Sequence, residues 1–567
     1  MKMNNFAHHW CTLMIDSLMQ MGVDHFFIAP GSRSTPLVSA IVRHKDARIF
    51  SGIDERSLGF MAQGYSKVAL KPGVVVVTSG TAVANLYPAV AEAFLSEVPM
   101  LLLTADRPFE LRDCGANQTM FQASLFQNHV IKSFDIAPPQ PQVSRTLSRA
   151  TFYDAYRACM GSKKGPVHLN IQLREPLSNV LREGELWDQN QEIYADSKKE
   201  QAPVLDVVLH EVPEIFENQR GFLAVGELSS VVDADLIIAV AEKLAWPIYA
   251  DITSNIRLKK HKNILHHADL ALINGRFQND LCPEVIVKLG GRIVSKRFWA
   301  WVEKRDGARK VAISQSPQRV DHTGIFSLWQ VPSLTSFLQA LNEKISWKNN
   351  AEWLNVDSYN FVKHKVHSFL ETNRDNEAFY AAKLIAAIDQ ESVLFLSSSM
   401  PIRDVDQFAM PTAVPIYVYA NRGASGIDGV ISSAVGAAQA HNLPTVLLIG
   451  DVAFLHDTNG LMLARASAVP ILIVVFNNGG GGIFHFLPIA TELDVVTPYL
   501  DTPHDVSIKD LCRAHHIHQV RVENAQDFSR AIKSFYETKK TTIVEVIIDK
   551  NHNVIAHKNF YGSLTEI

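Results

Sequence analysis

Cysteine is scarce: the chain has five in 567 residues, Cys11, Cys114, Cys159, Cys282 and Cys512, and no two stand in a CxxC pair. Thiols scattered in this way exclude a disulfide framework and a zinc ribbon, and they suit a reducing compartment. Long apolar runs are missing as well. The longest, Val469–Phe476, is far below the ~20 residues that a membrane-spanning helix needs. The N-terminal stretch MKMNNFAHHWC has neither the apolar core nor the small-residue cleavage site of a secretory signal, so we expect a cytoplasmic protein without membrane contact. Excess charge of one sign is absent too. With 54 basic against 58 acidic side chains and a net charge of −4, nucleic acid is not an expected partner, although local arginine clusters can still bind small anions. There is no low-complexity tract and no short repeat, which excludes disordered and solenoid classes.

What remains is the composition of a large globular protein, 47% hydrophobic and 20% charged. At roughly 100–200 residues per domain, a chain of this length should hold about three domains. Short β-branched or leucine-rich runs recur between helical patterns: His25–Pro30, Val74–Ser79, Met100–Thr104, Val393–Ser399, Thr445–Gly450, Ile471–Asn478 and Thr542–Asp549. Continuous apolar runs of this length are the mark of strands buried on both faces of a parallel sheet. The segment after Gly80 reads as a helix with Val83, Leu86, Val90 and Phe94 on one face. The fold class is therefore α/β, with open, mostly parallel sheets flanked by helices. We place three domains at 1–182, 203–346 and 356–567, the outer two related to each other. The polar stretch Glu183–Pro203 reads as a linker, and a second break is expected near Trp347–Asn355.

In such sheets ligands bind beyond the carboxyl ends of the strands. The loops APGSRSTP, TSGTA, TADRP, SSSMPIRD, GDVAF and NNGGGGIF all fall there. Asp451 ends one strand and Asn478 the next, 27 positions apart (478 − 451 = 27), a spacing that one crossover between adjacent parallel strands can span. Taken singly, GD or NN reads as a strand-end turn. Together they offer a carboxylate and an amide oxygen, hard ligands suited to Mg²⁺, which usually completes its octahedron with phosphate oxygens and water. Gly479 to Gly482 then let the backbone come close, to give a carbonyl to the metal or N–H groups to a phosphate. Glu55, in GIDERSLG, reads by itself as part of a helix start, where acids are favoured. His515, His516 and His518 lack a Cys or acidic partner at ligand spacing and read as a solvated helix end, and His456–Asp457 reads as structural.

A glutamate in the first third and a GD...NN pair in the last resemble the thiamine diphosphate enzyme superfamily. Within it, APGSRSTP (29–36), DERSLG (54–59), TSGTAVANLYPAV (78–90), LLLTADRP (101–108), DCGANQ (113–118), SKR (295–297), SMPIRD (399–404), NRGASGIDG (421–429) and GGIFHFLP (481–488) together resemble the 2-succinyl-5-enolpyruvyl-6-hydroxy-3-cyclohexene-1-carboxylate synthase family of menaquinone biosynthesis, nearly end to end.

The resemblance implies thiamine diphosphate and Mg²⁺ (or Mn²⁺) as cofactors. It makes the first domain pyrimidine-binding and the third diphosphate- and metal-binding. Glu55 would bond the cofactor's aminopyrimidine ring, and Ile427 would wedge the cofactor into its bent form. Asp451, Asn478 and Gly480 would hold the metal, with Gly481 beside the cofactor. The implied reaction decarboxylates 2-oxoglutarate and adds the four-carbon unit to isochorismate. Both substrates are dianions, for which guanidinium groups are the best-matched partners. Arg403 and Arg422 are assigned mainly to 2-oxoglutarate, and Arg107, Lys296 and Arg297 mainly to isochorismate, with Arg33 among the cations at the strand ends. Ser32, Asn117, Gln118 and Ser399 are expected polar contacts, and Ile483, Phe484 and Leu487 apolar walls. The family also implies a homodimer or homotetramer with active sites between subunits. Ser397–Ser398 stands where the family pattern has Gly-Asn, which shortens the side chain at 398 and leaves a local substrate contact to be lost or bridged by water.

Two other readings compete. An acetolactate synthase-like enzyme, or a simple decarboxylase, acting on a monoanionic 2-oxo acid would need fewer cations. A non-catalytic module that binds a diphosphate would have no need of Glu55.

Overall fold

The strands fall into three wholly parallel sheets, as buried apolar runs joined by helical crossovers require. The computed structural model describes residues 6–140, 145–177, 207, 209–217, 220–319, 321–348 and 353–565. The proposed linker Glu183–Pro203 lies outside them, as do residues 349–352 of the second expected break. The first sheet holds β1 (His25–Ile28), β2 (Arg48–Ser51), β3 (Gly73–Val77), β4 (Met100–Asp106), β5 (Lys132–Ile136) and β6 (Pro166–Gln172) in the order β2-β1-β3-β4-β6-β5. The second holds β7 (Gly221–Val225), β8 (Ile248–Ala250), β9 (Val285–Leu289), β10 (Arg309–Ser314) and β11 (Ser327–Gln330), ordered β11-β10-β9-β7-β8. The third holds β12 (Ser392–Leu396), β13 (Ile416–Ala420), β14 (Thr445–Gly450), β15 (Ile471–Asn477), β16 (His518–Val522) and β17 (Thr542–Ile547), ordered β13-β12-β14-β15-β17-β16.

Renumbered from its own first strand, the third sheet repeats the order of the first, so the two outer sheets are built alike. All seven strands read from apolar runs are present, and the central ones are buried: β3, β4 and β12 at every residue, β15 at every residue but Asn477. The segment after Gly80 departs from the sequence reading. It forms two helices, Thr81–Asn85 and Tyr87–Leu95, and not one. Pro88 in the first turn of the second helix has no N–H for the carbonyl four residues back, which breaks the ladder at Leu86. Val83, Leu86 and Val90 are nonetheless fully buried.

The chain forms two compact units. One gathers the first sheet with residues 421–441 and 457–466; the other holds the second and third sheets. In the first unit, helix Glu55–Ala69 packs against helix Val430–His441 through two glycines. A Cβ on Gly64 would stand 2.0 Å from the Ser433 carbonyl oxygen, and one on Gly436 would stand 1.9 Å from that of Met61. Ser433 Oγ joins the seam by donating to Gln63 Oε1 (3.2 Å) and accepting from Asn421 Nδ2 (2.9 Å). Because both obstacles are backbone atoms, no rotamer change relieves them. Gly436→Val is expected to destabilise the protein by about 1–3 kcal/mol or more. Gly562→Ala, with nothing within 4 Å of the added carbon, should move stability by less than about 1 kcal/mol. Urea denaturation of the two variants side by side checks this.

Candidate active site

In the second unit, β14 and β15 are neighbours in register, Gly450 beside Phe476, so the residues that follow them meet at the sheet edge. Asp451 opens helix Asp451–His456 and is 2% exposed. Its Oδ1 accepts the Val452 N–H (2.7 Å), and its Oδ2 accepts those of Asn478 (3.1 Å) and Gly480 (3.0 Å). His504 Nε2 lies 3.3 Å from the same Oδ2. Burial raises the pKa of this carboxyl, and the Gly480 and Val452 N–H groups oppose the shift.

Asn478 turns its amide nitrogen to Glu377 Oε1 (2.8 Å), while its Oδ1 is buried and has no partner among the described residues. Gly480 adopts φ +149°, open to glycine alone, and a Cβ there would stand 2.3 Å from the Asp501 carbonyl oxygen. The Gly481 N–H donates to that carbonyl (2.5 Å), and the Gly480 carbonyl accepts from Gly482 (3.0 Å). A buried carboxylate, an unspent amide oxygen and the Gly480 carbonyl are hard oxygen donors, with no sulfur among them. That set fits a hard cation such as Mg²⁺ that shares its shell with phosphate.

The same unit holds Ser399, Arg403, Lys296, Arg297, Ile483, Phe484 and Leu487. Ser399 stands beyond β12 at φ +75° and starts helix Met400–Phe408; its carbonyl accepts a hydrogen bond from the half-buried Arg403. Ser397 and Ser398 are both buried. Lys296 is exposed, whereas Arg297 pairs with Asp269 (2.5 Å) and lies 4.8 Å over the Tyr561 ring. Ile483 and Phe484 are half-buried in the turn Gly482–Phe486, and Leu487 is 37% exposed.

In the first unit, Glu55 is the first residue of its helix, but Asp54 does the capping. Asp54 accepts the Arg56 N–H (3.0 Å) and the Ser57 hydroxyl (2.7 Å). The Glu55 carboxylate is thereby left free of that task, with Asn85 Nδ2 at 3.3 Å. Beyond β4, the Arg107 guanidinium grips the Asn117 carbonyl with two nitrogens (3.2 and 3.0 Å), and Gln118 Nε2 donates to the Ser79 carbonyl (2.9 Å). Beyond β1, Ser32 is exposed. Arg33 turns inward, 3% exposed, to the Leu173 carbonyl (2.9 Å) and the Glu175 carboxylate (3.2 Å). Arg422 and Ile427 are half-buried in the loop after β13.

Two buried glutamates escaped the sequence reading. Glu92 accepts three N–H groups of the loop between Arg422 and Ile427, from Gly423 (2.7 Å), Ala424 (2.6 Å) and Ser425 (3.3 Å). An acid inside the otherwise apolar helix Tyr87–Leu95 was the available signal. Glu377 had none beyond Asn376, which caps its helix.

Family models match the chain in three stretches: the N-terminal TPP binding domain of thiamine pyrophosphate enzymes over residues 9–130, the middle domain of thiamine pyrophosphate over 178–396, and the C-terminal TPP binding domain over 404–546. The fold agrees. The thiamine diphosphate-dependent 4-hydroxybenzoylformate decarboxylase of Rhodococcus jostii superposes with a TM-score of 0.70 at 18% identity, covering 95% of this chain and 99% of that one. The class is thus a thiamine diphosphate-dependent enzyme that acts on small molecules. Curated relatives narrow it: proteins named 2-succinyl-5-enolpyruvyl-6-hydroxy-3-cyclohexene-1-carboxylate synthase are 36% identical over 563 residues in Rubrobacter xylanophilus (97% of each chain) and 35% identical over 571 residues in Chlorobium limicola (98% of this chain, 97% of that one). The chain belongs to this synthase family of menaquinone biosynthesis.

Proposed function

We propose that the protein uses thiamine diphosphate with Mg²⁺ or Mn²⁺ to decarboxylate 2-oxoglutarate and add the succinyl unit to isochorismate, giving 2-succinyl-5-enolpyruvyl-6-hydroxy-3-cyclohexene-1-carboxylate and CO₂. The observation that carries this reading is the full-length likeness to relatives of that name. The bound cofactor supplies the carbanion chemistry. The chain's own residues position and tune it. Asp451, Asn478 Oδ1 and the Gly480 carbonyl would hold the metal, and Gly481 would contact the cofactor. Glu55 would share a proton with the cofactor's pyrimidine ring, and Ile427 would support the cofactor.

Arg403 and Arg422 take the carboxylates of 2-oxoglutarate, with Ser399 as a polar contact. Arg107, Lys296 and Arg297 take those of isochorismate, with Ser32, Asn117 and Gln118. Arg33 is a further cation of the substrate site, and Ile483, Phe484 and Leu487 are its apolar walls. We place the domains at 1–182, 203–346 and 356–567 and the active sites between subunits of a homodimer or homotetramer. A cytoplasmic location fits five unbridged cysteines and the lack, among the described residues, of a helix long and apolar enough to cross a membrane.

A charge-assisted hydrogen bond contributes about 1.5–3 kcal/mol, so Arg403→Ala and Arg422→Ala should each raise KM for 2-oxoglutarate roughly 10- to 100-fold. The steady-state KM of both variants tests this. An unchanged KM would favour a monoanionic 2-oxo acid as the substrate.

A further inference from the structure

An asparagine ligates a metal through one end of its amide only, and a half-turn about its last bond presents the NH₂ group instead. Something must therefore set the polarity of Asn478. The structure provides one candidate. Glu377 Oε1 accepts the Asn478 Nδ2–H at 2.8 Å, Glu377 is 2% exposed, and Asn478 Oδ1 is left buried and unpartnered on the other side. Oε1 is placed as an acceptor, a role that a carboxyl C=O keeps in either charge state, so it selects the NH₂ end of the amide. Glu377 is itself held from two sides. Asn376 caps its helix by accepting the Phe379 N–H (2.9 Å), and Asn553 Oδ1, on helix Lys550–Ser563, accepts the Glu377 N–H (3.0 Å). Glu377 Oε2 has no partner among the described residues.

We infer that Glu377 is a positioning residue for the metal site: its carboxylate orients the Asn478 amide so that Oδ1 faces the cation. The inference rests on the reading that Asp451 and Asn478 hold the metal. Residues that orient metal ligands in this way typically change metal affinity by roughly 10–100-fold when replaced.

The test is Mn²⁺ binding to the full-length protein in the presence of thiamine diphosphate, followed by loss of the free-ion electron paramagnetic resonance signal. Four proteins are compared: wild type, Glu377→Met, Glu377→Gln and Asn478→Ala. Methionine fills nearly the same space without an acceptor and should weaken Mn²⁺ roughly 10- to 100-fold. Glutamine keeps a carbonyl for the Nδ2–H and should stay within about threefold of wild type. In turnover, Glu377→Met should raise the Mn²⁺ concentration needed for half-maximal rate and retain most of kcat at saturating metal.

Wild-type affinity in Glu377→Met together with weak binding in Asn478→Ala would overturn the inference and spare the metal reading. Wild-type affinity in Asn478→Ala would overturn both. A Glu377→Gln variant as weak as Glu377→Met would also overturn the inference, because then the charge and not the acceptor is what matters. Should Glu377→Met fail to unfold cooperatively in urea, Glu377→Ala takes its place with the same expectation.

Discussion

Glu55→Gln is expected to lower turnover by roughly 10²–10⁴-fold, the usual contribution of a positioned proton-transfer group, while Mn²⁺ and diphosphate binding stay close to wild type. The structure makes this substitution clean. Asp54 carries the helix cap, and Glu55 has Asn85 at 3.3 Å, which a glutamine oxygen can keep as a partner. What glutamine cannot do is hold the shared proton against a ring nitrogen. Asp54→Ala gives the converse: it removes the acceptor of the Arg56 N–H and the Ser57 hydroxyl and should cost about 1 kcal/mol of stability. Single-turnover rates, isothermal titration of thiamine diphosphate and thermal melts of both variants separate the two roles. A Glu55→Gln enzyme with wild-type turnover would remove Glu55 from the proposed chemistry.

The second large effect is expected at Asp451. Both of its oxygens already accept backbone N–H groups, one from Val452 and two from Asn478 and Gly480. Asparagine must therefore point its NH₂ at a buried N–H whichever way it turns, and an unsatisfied buried donor costs about 1–3 kcal/mol. The loop from Asn478 to Gly481 loosens in the same stroke, so metal affinity should fall by more than the roughly 10–100-fold typical of a supporting residue. Electron paramagnetic titration of Asp451→Asn with Mn²⁺ measures the loss. Affinity within a few-fold of wild type would place the metal elsewhere.

Legibility in the sequence followed burial only in part: β7 (GFLAV) and β9 (VIVKL) are buried throughout, yet their short runs do not stand out in the plainer middle third. Strands covered on both faces, such as β3 (GVVVV) and β15 (ILIVVFN), stand out as apolar runs. Among the edge strands, β2, β5 and β11 are largely exposed and β16 partly so, and all four carry ordinary polar mixtures. β6 is hidden for another reason. It is buried throughout, yet it places His168 and Asn170 inside, where Thr104 (2.8 Å to His168, 3.1 Å to Asn170) and Asp106 (2.9 Å to Asn170) satisfy them. A polar network of this kind looks like surface in one dimension.

The meeting of Asp451 and Asn478 was legible because the two end adjacent strands 27 positions apart. Glu377 reaches Asn478 from 101 positions away along the chain, through a helix start that carries no chemical motif. Arg33 shows the same limit. It belongs to a strand-end loop in the sequence, and its contacts with the Leu173 carbonyl and the Glu175 carboxylate lie 140 and 142 positions away, where no motif announces them.

The most direct measurement of the central claim is turnover by the purified protein with thiamine diphosphate, Mg²⁺, 2-oxoglutarate and isochorismate, each omitted in turn, followed by isochorismate loss and product mass. We predict isochorismate loss with formation of a succinyl adduct that requires all four components. Consumption of 2-oxoglutarate without an isochorismate adduct would keep the cofactor and contradict the acceptor.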